Sequence, residues 1–163
     1  MLKYIFCIGL LFLSFISFSQ ETDSIFRKSI DIPRISEAPK IDGLLDDDAW
    51  QNAPVASDFI ERNPKNGRPI PDSLHTEVKV IYDDLGVYFG AKMKDPEPHK
   101  ISKELTERDD IGADDFFFIL LNGYNDRQQS MQFIVTAAGV QYDAKMTNGR
   151  EDNSWDAVWY SEV

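Results

Sequence analysis

Three kinds of chemistry are open to the residues of this chain. The first is stacking. Tyr124, Tyr142, Trp155 and Trp159 supply rings in its later part. Flat apolar faces of this kind pack on sugar C–H groups, with planar polar side chains left to meet the hydroxyls. Trp155 and Trp159 stand four apart, an even spacing that puts both on one side of a strand. A shared place in a core and a binding platform are both open to that pair. Trp50, which closes a short acidic helical turn, reads as core. The second chemistry is cation binding. Asp109, Asp110 and Asp114 fall in a glycine-containing loop, and calcium takes about six to eight oxygens from carboxylates, carbonyls and water. The alternative is that these acids simply face solvent. Asp83 and Asp84 read as turn caps, and no EF-hand loop is present. The third chemistry is catalysis. With 28 Asp and Glu residues, chance carboxylate pairs are inevitable, and no Ser-His-Asp order or nucleophile elbow stands out. No catalytic residue is assigned.

Composition narrows the partners. The 163 residues carry 28 acids against 17 Lys and Arg, for a formal net charge of −11. Phosphate affinity comes from Lys and Arg, so a nucleic-acid partner is not expected, nor is adhesion to an anionic lipid surface. A single cysteine, Cys7, excludes an intrachain disulfide, and two histidines, His75 and His99, leave little for a His-based metal centre.

The first residues read as an export signal. Lys3 gives a short positive start, residues 5–18 are largely apolar, and Ser17-Phe18-Ser19 places small residues before a cut ahead of Gln20. The apolar run is short for a bilayer span, which takes about 20 residues. Residues 1–19 are therefore expected to be removed, taking Cys7 with them, and residues 20–29 to form a flexible lead. The protein is expected in the periplasm, the outer membrane or at the cell surface.

Residues 30–163 must then position the rings and acids, and they read as strands and turns. Ile30 to Ile35 alternate around Pro33, an edge-strand pattern. Asp46 is expected to cap a helical turn ending at Trp50. Ser57 to Arg62 reads as a short strand. Thr76 to Tyr82 and Val87 to Met93 alternate with period 2 on both sides of Asp83-Asp84-Leu85-Gly86, a hairpin in which Gly86 is free to take positive φ. Lys100 to Gly112 reads as an irregular helix. The run Phe116 to Leu121 is expected to be a central strand covered on both faces. Ser130 to Ala137 and Val140 to Met146 pair across Ala138-Gly139, and a last strand begins near Trp155. The fold class is all-β, an antiparallel β-sandwich that reads as truncated before its last strands.

Several segments together carry a family resemblance. Asp42-Gly43-Leu44-Leu45-Asp46-Asp47-Asp48-Ala49-Trp50 resembles the opening of the family 9 carbohydrate-binding modules. Tyr82-Asp83-Asp84 followed by Val87-Tyr88-Phe89 resembles their hairpin signature. Arg108-Asp109 and Asp114-Asp115 resemble the acidic stretch before their core strand. Trp155-Asp156-Ala157-Val158-Trp159 is similar to a motif of one exported, Bacteroidetes-type subfamily. The resemblance implies a jelly-roll-like sandwich, carbohydrate binding without catalysis and frequently bound calcium. It also implies a longer protein whose carboxy-terminal region resembles a β-barrel, touches the membrane and is associated with glycan degradation or uptake. This chain departs from the sugar-binding members in two ways. Residues 104–112 hold no aromatic, and Phe117 and Ile134 stand where an acid and an arginine serve the sugar. A second reading is a structural or gating domain of an outer-membrane assembly. An apolar groove with stacked rings favours the first reading, and a buried Trp155–Trp159 pair on a flat surface the second.

Overall fold

The computed structural model describes residues 28–126 and 128–163. The expected export signal and most of the expected lead lie outside the described residues. The described chain is mostly β. One four-residue helix, α1 (Asp48–Gln51), precedes the strands β1 (Val55–Ala56), β2 (Thr76–Tyr82), β3 (Val87–Met93), β4 (Phe116–Leu121), β5 (Gln129–Thr136), β6 (Gln141–Thr147) and β7 (Arg150–Asp152). They form two antiparallel sheets, ordered β1-β2-β3 and β4-β5-β6-β7. No described helix is long and apolar enough to cross a membrane.

The β2–β3 hairpin forms as its alternation predicts, in register from Thr76↔Met93 to Tyr82↔Val87. Its turn works through a side chain rather than through glycine. Asp83 Oδ1 accepts the N–H groups of Leu85 at 2.8 Å and Gly86 at 2.9 Å, and its Oδ2 accepts the Tyr88 hydroxyl at 3.0 Å. Gly86 stays outside the positive-φ region. Burial works to raise the Asp83 carboxyl, but these donors outweigh it and hold the group below its ordinary range. The first core gathers under this sheet. Trp50, Ala53 and Ile81 are buried there, with Ile35, Ala49 and Tyr88 against them. Gly90 makes room for the indole, since a Cβ on it would stand 2.7 Å from Leu45 Cδ2 and 3.2 Å from Trp50 Cζ3. α1 is flanked by Asp47 rather than Asp46, without a side-chain cap, because Asp47 Oδ2 instead accepts the N–H of Lys40 at 3.2 Å.

Ile30 to Ile35 makes a single parallel bridge, Arg34↔Tyr82, in place of a strand. The 57–62 strand is replaced by β1 and an isolated Ile60↔Pro69 bridge. In 100–112 the only helical residue is Lys100, which ends a 3-10 turn over Pro98–Lys100.

The β5–β6 hairpin forms across Ala138-Gly139 as expected, with Gly139 at φ 83°. A second core gathers Ile134, Tyr142 and Ala144, joined by Ile111. β4 corrects the sequence reading. It is the edge strand of its sheet, and Phe116, Phe118 and Leu120 are 49%, 41% and 54% exposed. A continuous apolar run marks strand propensity, but it does not say how many neighbours the strand has. The segment from Trp155 is also corrected. It pairs with no strand among the described residues. It runs extended, with residues 155, 157, 159 and 161 half-buried and their neighbours exposed. Its far end lies between the two halves. A Cβ on Gly43 would stand 3.4 Å from the Val163 carbonyl oxygen, and one on Gly139 would stand 3.8 Å from Val163 Cγ2.

Candidate functional site

What replaces backbone pairing for residues 155–161 is a polar hub on β6. Register sets its layout. Asp143 lies opposite Phe133, so the two share a face with Gln141 and Lys145. Asp143 is 1% exposed, and both of its oxygens are occupied. Oδ1 accepts the Arg108 guanidinium and the Trp159 Nε1–H, the latter at 3.0 Å. Oδ2 accepts the Ala157 N–H at 2.7 Å. A buried carboxylate satisfied by a charge and two further donors is a rigid anchor, since removing any partner leaves a desolvated group.

Arg108 spreads from this anchor to the surface. It donates to Gln141 Oε1 at 2.7 Å, to Asp156 Oδ1 at 3.0 Å and to the Ala157 carbonyl at 3.2 Å. Gln141 Nε2 in turn donates to the Trp159 carbonyl at 3.3 Å and to Ser161 Oγ at 2.9 Å. The indoles close over Phe133, whose ring meets Trp155 at 6.0 Å and Trp159 at 5.4 Å between centroids, both edge to face. Lys145 Nζ lies 5.1 Å from the Trp155 ring centroid. A shallow groove of about 290 Å³ opens beside the hub, lined by Leu105, Thr106, Arg108, Val140, Gln141 and Ser161.

The four expected rings part company. Trp155 and Trp159 come together on Phe133, as their even spacing requires. Tyr142 is on the opposite face of the same strand and is 8% exposed; its hydroxyl donates to Glu151. Burial, then the Glu151 carboxylate, pushes the Tyr142 phenol up from 10.0 to about 12. Tyr124 stands apart in the β4–β5 turn, 78% exposed.

The three expected calcium ligands each have a local use. Asp114 is 7% exposed, and both of its oxygens accept the Glu104 N–H at 2.9 Å, with Ser102 Oγ donating at 3.1 Å. Asp110 Oδ1 accepts the Gly112 N–H at 3.1 Å. Asp109, at φ 66°, accepts the Asp143 N–H at 3.4 Å and faces Arg108 Nε at 3.8 Å. Among the described residues, no three His, Cys, Asp or Glu side chains form a group that could hold a metal ion.

Sequence reasoning missed Arg108, Phe133, Gln141 and Asp143 as site residues. One signal was present: Asp143 is a lone acid between Tyr142 and Ala144 in an otherwise well-patterned strand. Comparison with protein-family models, with curated proteins and with solved structures gives no match for this chain.

Proposed function

We propose that this chain is a non-catalytic carbohydrate-binding domain of an exported bacterial protein, linked to glycan degradation or uptake, with its two sheets as the halves of a jelly-roll-like sandwich. The observation that carries the reading is the groove beside the hub. There Asp143 and Asp156 hold the planar guanidinium of Arg108, and Arg108, Ser161 and the Trp159 carbonyl hold the amide of Gln141, beside the apolar side chains of Leu105 and Val140. Fixed planar donors and acceptors beside apolar surface are what a sugar's hydroxyls and C–H groups require. With both oxygens of Asp143 already engaged, the hub offers binding geometry rather than an acid or base for glycoside cleavage.

Calcium belongs to the same proposal. Asp114 already gives both oxygens to Glu104, so Asp109 and Asp110 are the carboxylates better placed to meet an ion. A rise in unfolding temperature with calcium, beyond that given by sodium at equal ionic strength and lost in Asp110→Ala, supports the site. No such rise removes calcium from the reading.

The test of sugar binding is a glycan-array screen followed by titration calorimetry on the best ligand. The expected outcome is saturable binding, weakened at least fivefold by Leu105→Ala, a residue 86% exposed and outside the hub's hydrogen bonds. One observation favours the second reading, a structural domain of an outer-membrane assembly. Trp159 spends its Nε1–H on Asp143, and both indoles lean on Phe133, so these rings fasten the 155–161 segment to the sheet. Absence of binding across the array, with the fold intact, selects that second reading.

A further inference from the structure

A separate cleft of about 370 Å³ lies on the first half of the molecule, at the start of β2, lined by residues that include Asp58, Phe59, Ile60, Ile70, Asp72 and His75. Its size is in the range of small-molecule sites, which begin near ~300 Å³. Its walls divide by chemistry. Phe59 and Ile60 are 40% and 59% exposed, so apolar surface is available that the core does not use. Asp58 and Asp72 bring two carboxylates, and no described cation lies within ion-pair distance of either. Lys28 Nζ, beside Asp58, is turned to the backbone, donating to the carbonyls of Ser57 at 3.3 Å and Asp58 at 2.6 Å. Those bonds brace Asp58 in the left-handed region at φ 55°, a conformation disfavoured for a residue with a side chain. His75 faces Glu77 at 3.4 Å, so the imidazole adds no unopposed positive charge.

We propose that this cleft is a second ligand site, distinct from the groove at Arg108, and that it takes an amino sugar. A hexosamine has a C–H face for Phe59 and Ile60, hydroxyls for Thr76 and His75, and an ammonium for Asp58 and Asp72. A neutral sugar satisfies the first two but leaves the two exposed carboxylates on the wall of the cleft without a described counter-charge, which favours a cation. A simple ammonium satisfies the carboxylates and leaves the apolar wall wet.

The two histidines make the test direct. His75 lines the cleft and His99 does not, so their imidazole proton signals report inside and outside it in one spectrum. D-Glucosamine, D-glucose and ethanolamine are titrated at matched ionic strength and pH into the intact protein. The expected result is a saturable shift of the His75 signals with glucosamine, with those of His99 unmoved, and binding at least tenfold weaker for glucose and for ethanolamine. Phe59→Ala and Asp72→Asn, both at exposed positions, should each weaken glucosamine at least fivefold while the spectrum stays folded. Leu105→Ala should leave the His75 response unchanged, which separates this site from the groove. Equal shifts with glucose or ethanolamine, or no saturable His75 shift at about ten times a millimolar Kd, overturn the proposal.

Discussion

Trp50 and Trp159 both dock against a sheet, but by opposite means. Trp50 is 2% exposed among Ala53, Ile81, Ile35 and Tyr88, and its Nε1–H is buried with no hydrogen-bond partner among the described residues. Trp159 stays half-buried, and its Nε1–H is fixed on a buried carboxylate that also orders Arg108 and Ala157. In the first half, apolar burial is large enough to carry an orphan donor, a cost of about 1–3 kcal/mol. In the second half there is too little apolar cover above Phe133 for that, and directed bonds take over. The contrast teaches that one residue type in one domain can be a packing unit or a polar strut. What differs is how much surface the neighbouring elements remove from water.

The largest effect is expected where burial is deepest. Trp50→Ala should cost about 3–5 kcal/mol, from lost transfer energy and the cavity left behind, read as a lower urea midpoint. Trp50→Phe sharpens the comparison, because it removes the orphan donor with part of the ring. Its cost should stay under about 1.5 kcal/mol. If Trp50→Phe proves as damaging as Trp50→Ala, the indole N–H has a partner after all.

Asp143→Ala should follow, at about 3 kcal/mol, since it strands the Trp159 and Ala157 donors and releases one contact of Arg108. Tryptophan emission should shift to the red as the 155–161 segment leaves the sheet. The double variant of Trp50 and Asp143 should show additive losses within about 0.5 kcal/mol, the behaviour of separate clusters. A coupling beyond about 1 kcal/mol would merge the two halves into one core and break the comparison.

Asp114→Ala is expected to cost about 2 kcal/mol, whether or not calcium is present, because the Glu104 N–H loses its acceptor in a part-buried place. Thermal unfolding in chelator tests this, and an effect seen only with calcium would return Asp114 to the cation site.

The smallest effect at neutral pH is Tyr142→Phe, about 1 kcal/mol for the hydroxyl bonded to Glu151. Its pH dependence is more telling. The phenol is raised from 10.0 to about 12 in the fold, so the protonated form is the one the fold favours. That contribution is fully present below pH 10 and is lost as pH rises through about 12. Unfolding followed from pH 9 to 12 should show a decline in the native protein that is shallower in Tyr142→Phe.

Sequence alone determined the elements whose signal is local. The β2–β3 hairpin was legible because period-2 alternation flanks an Asp-led turn. The β5–β6 hairpin was legible because Ala138-Gly139 supplies the left-handed residue that the turn needs. Trp50 was legible as core from its place behind a helical turn, and Trp155 with Trp159 from spacing alone. Tertiary structure decided what depends on residues far apart in the chain. Phe116 to Leu121 has the composition of a central strand, yet only the sheet order makes it an edge. Asp114 and Asp143 are acids like the other Asp and Glu residues in the sequence. Only the arrival of Glu104 at one, and of Arg108, Ala157 and Trp159 at the other, makes them buried acceptors. The physical reason is range. Alternation and turn preference act over a few residues, whereas burial of a charge is set by partners that only the folded chain brings within reach.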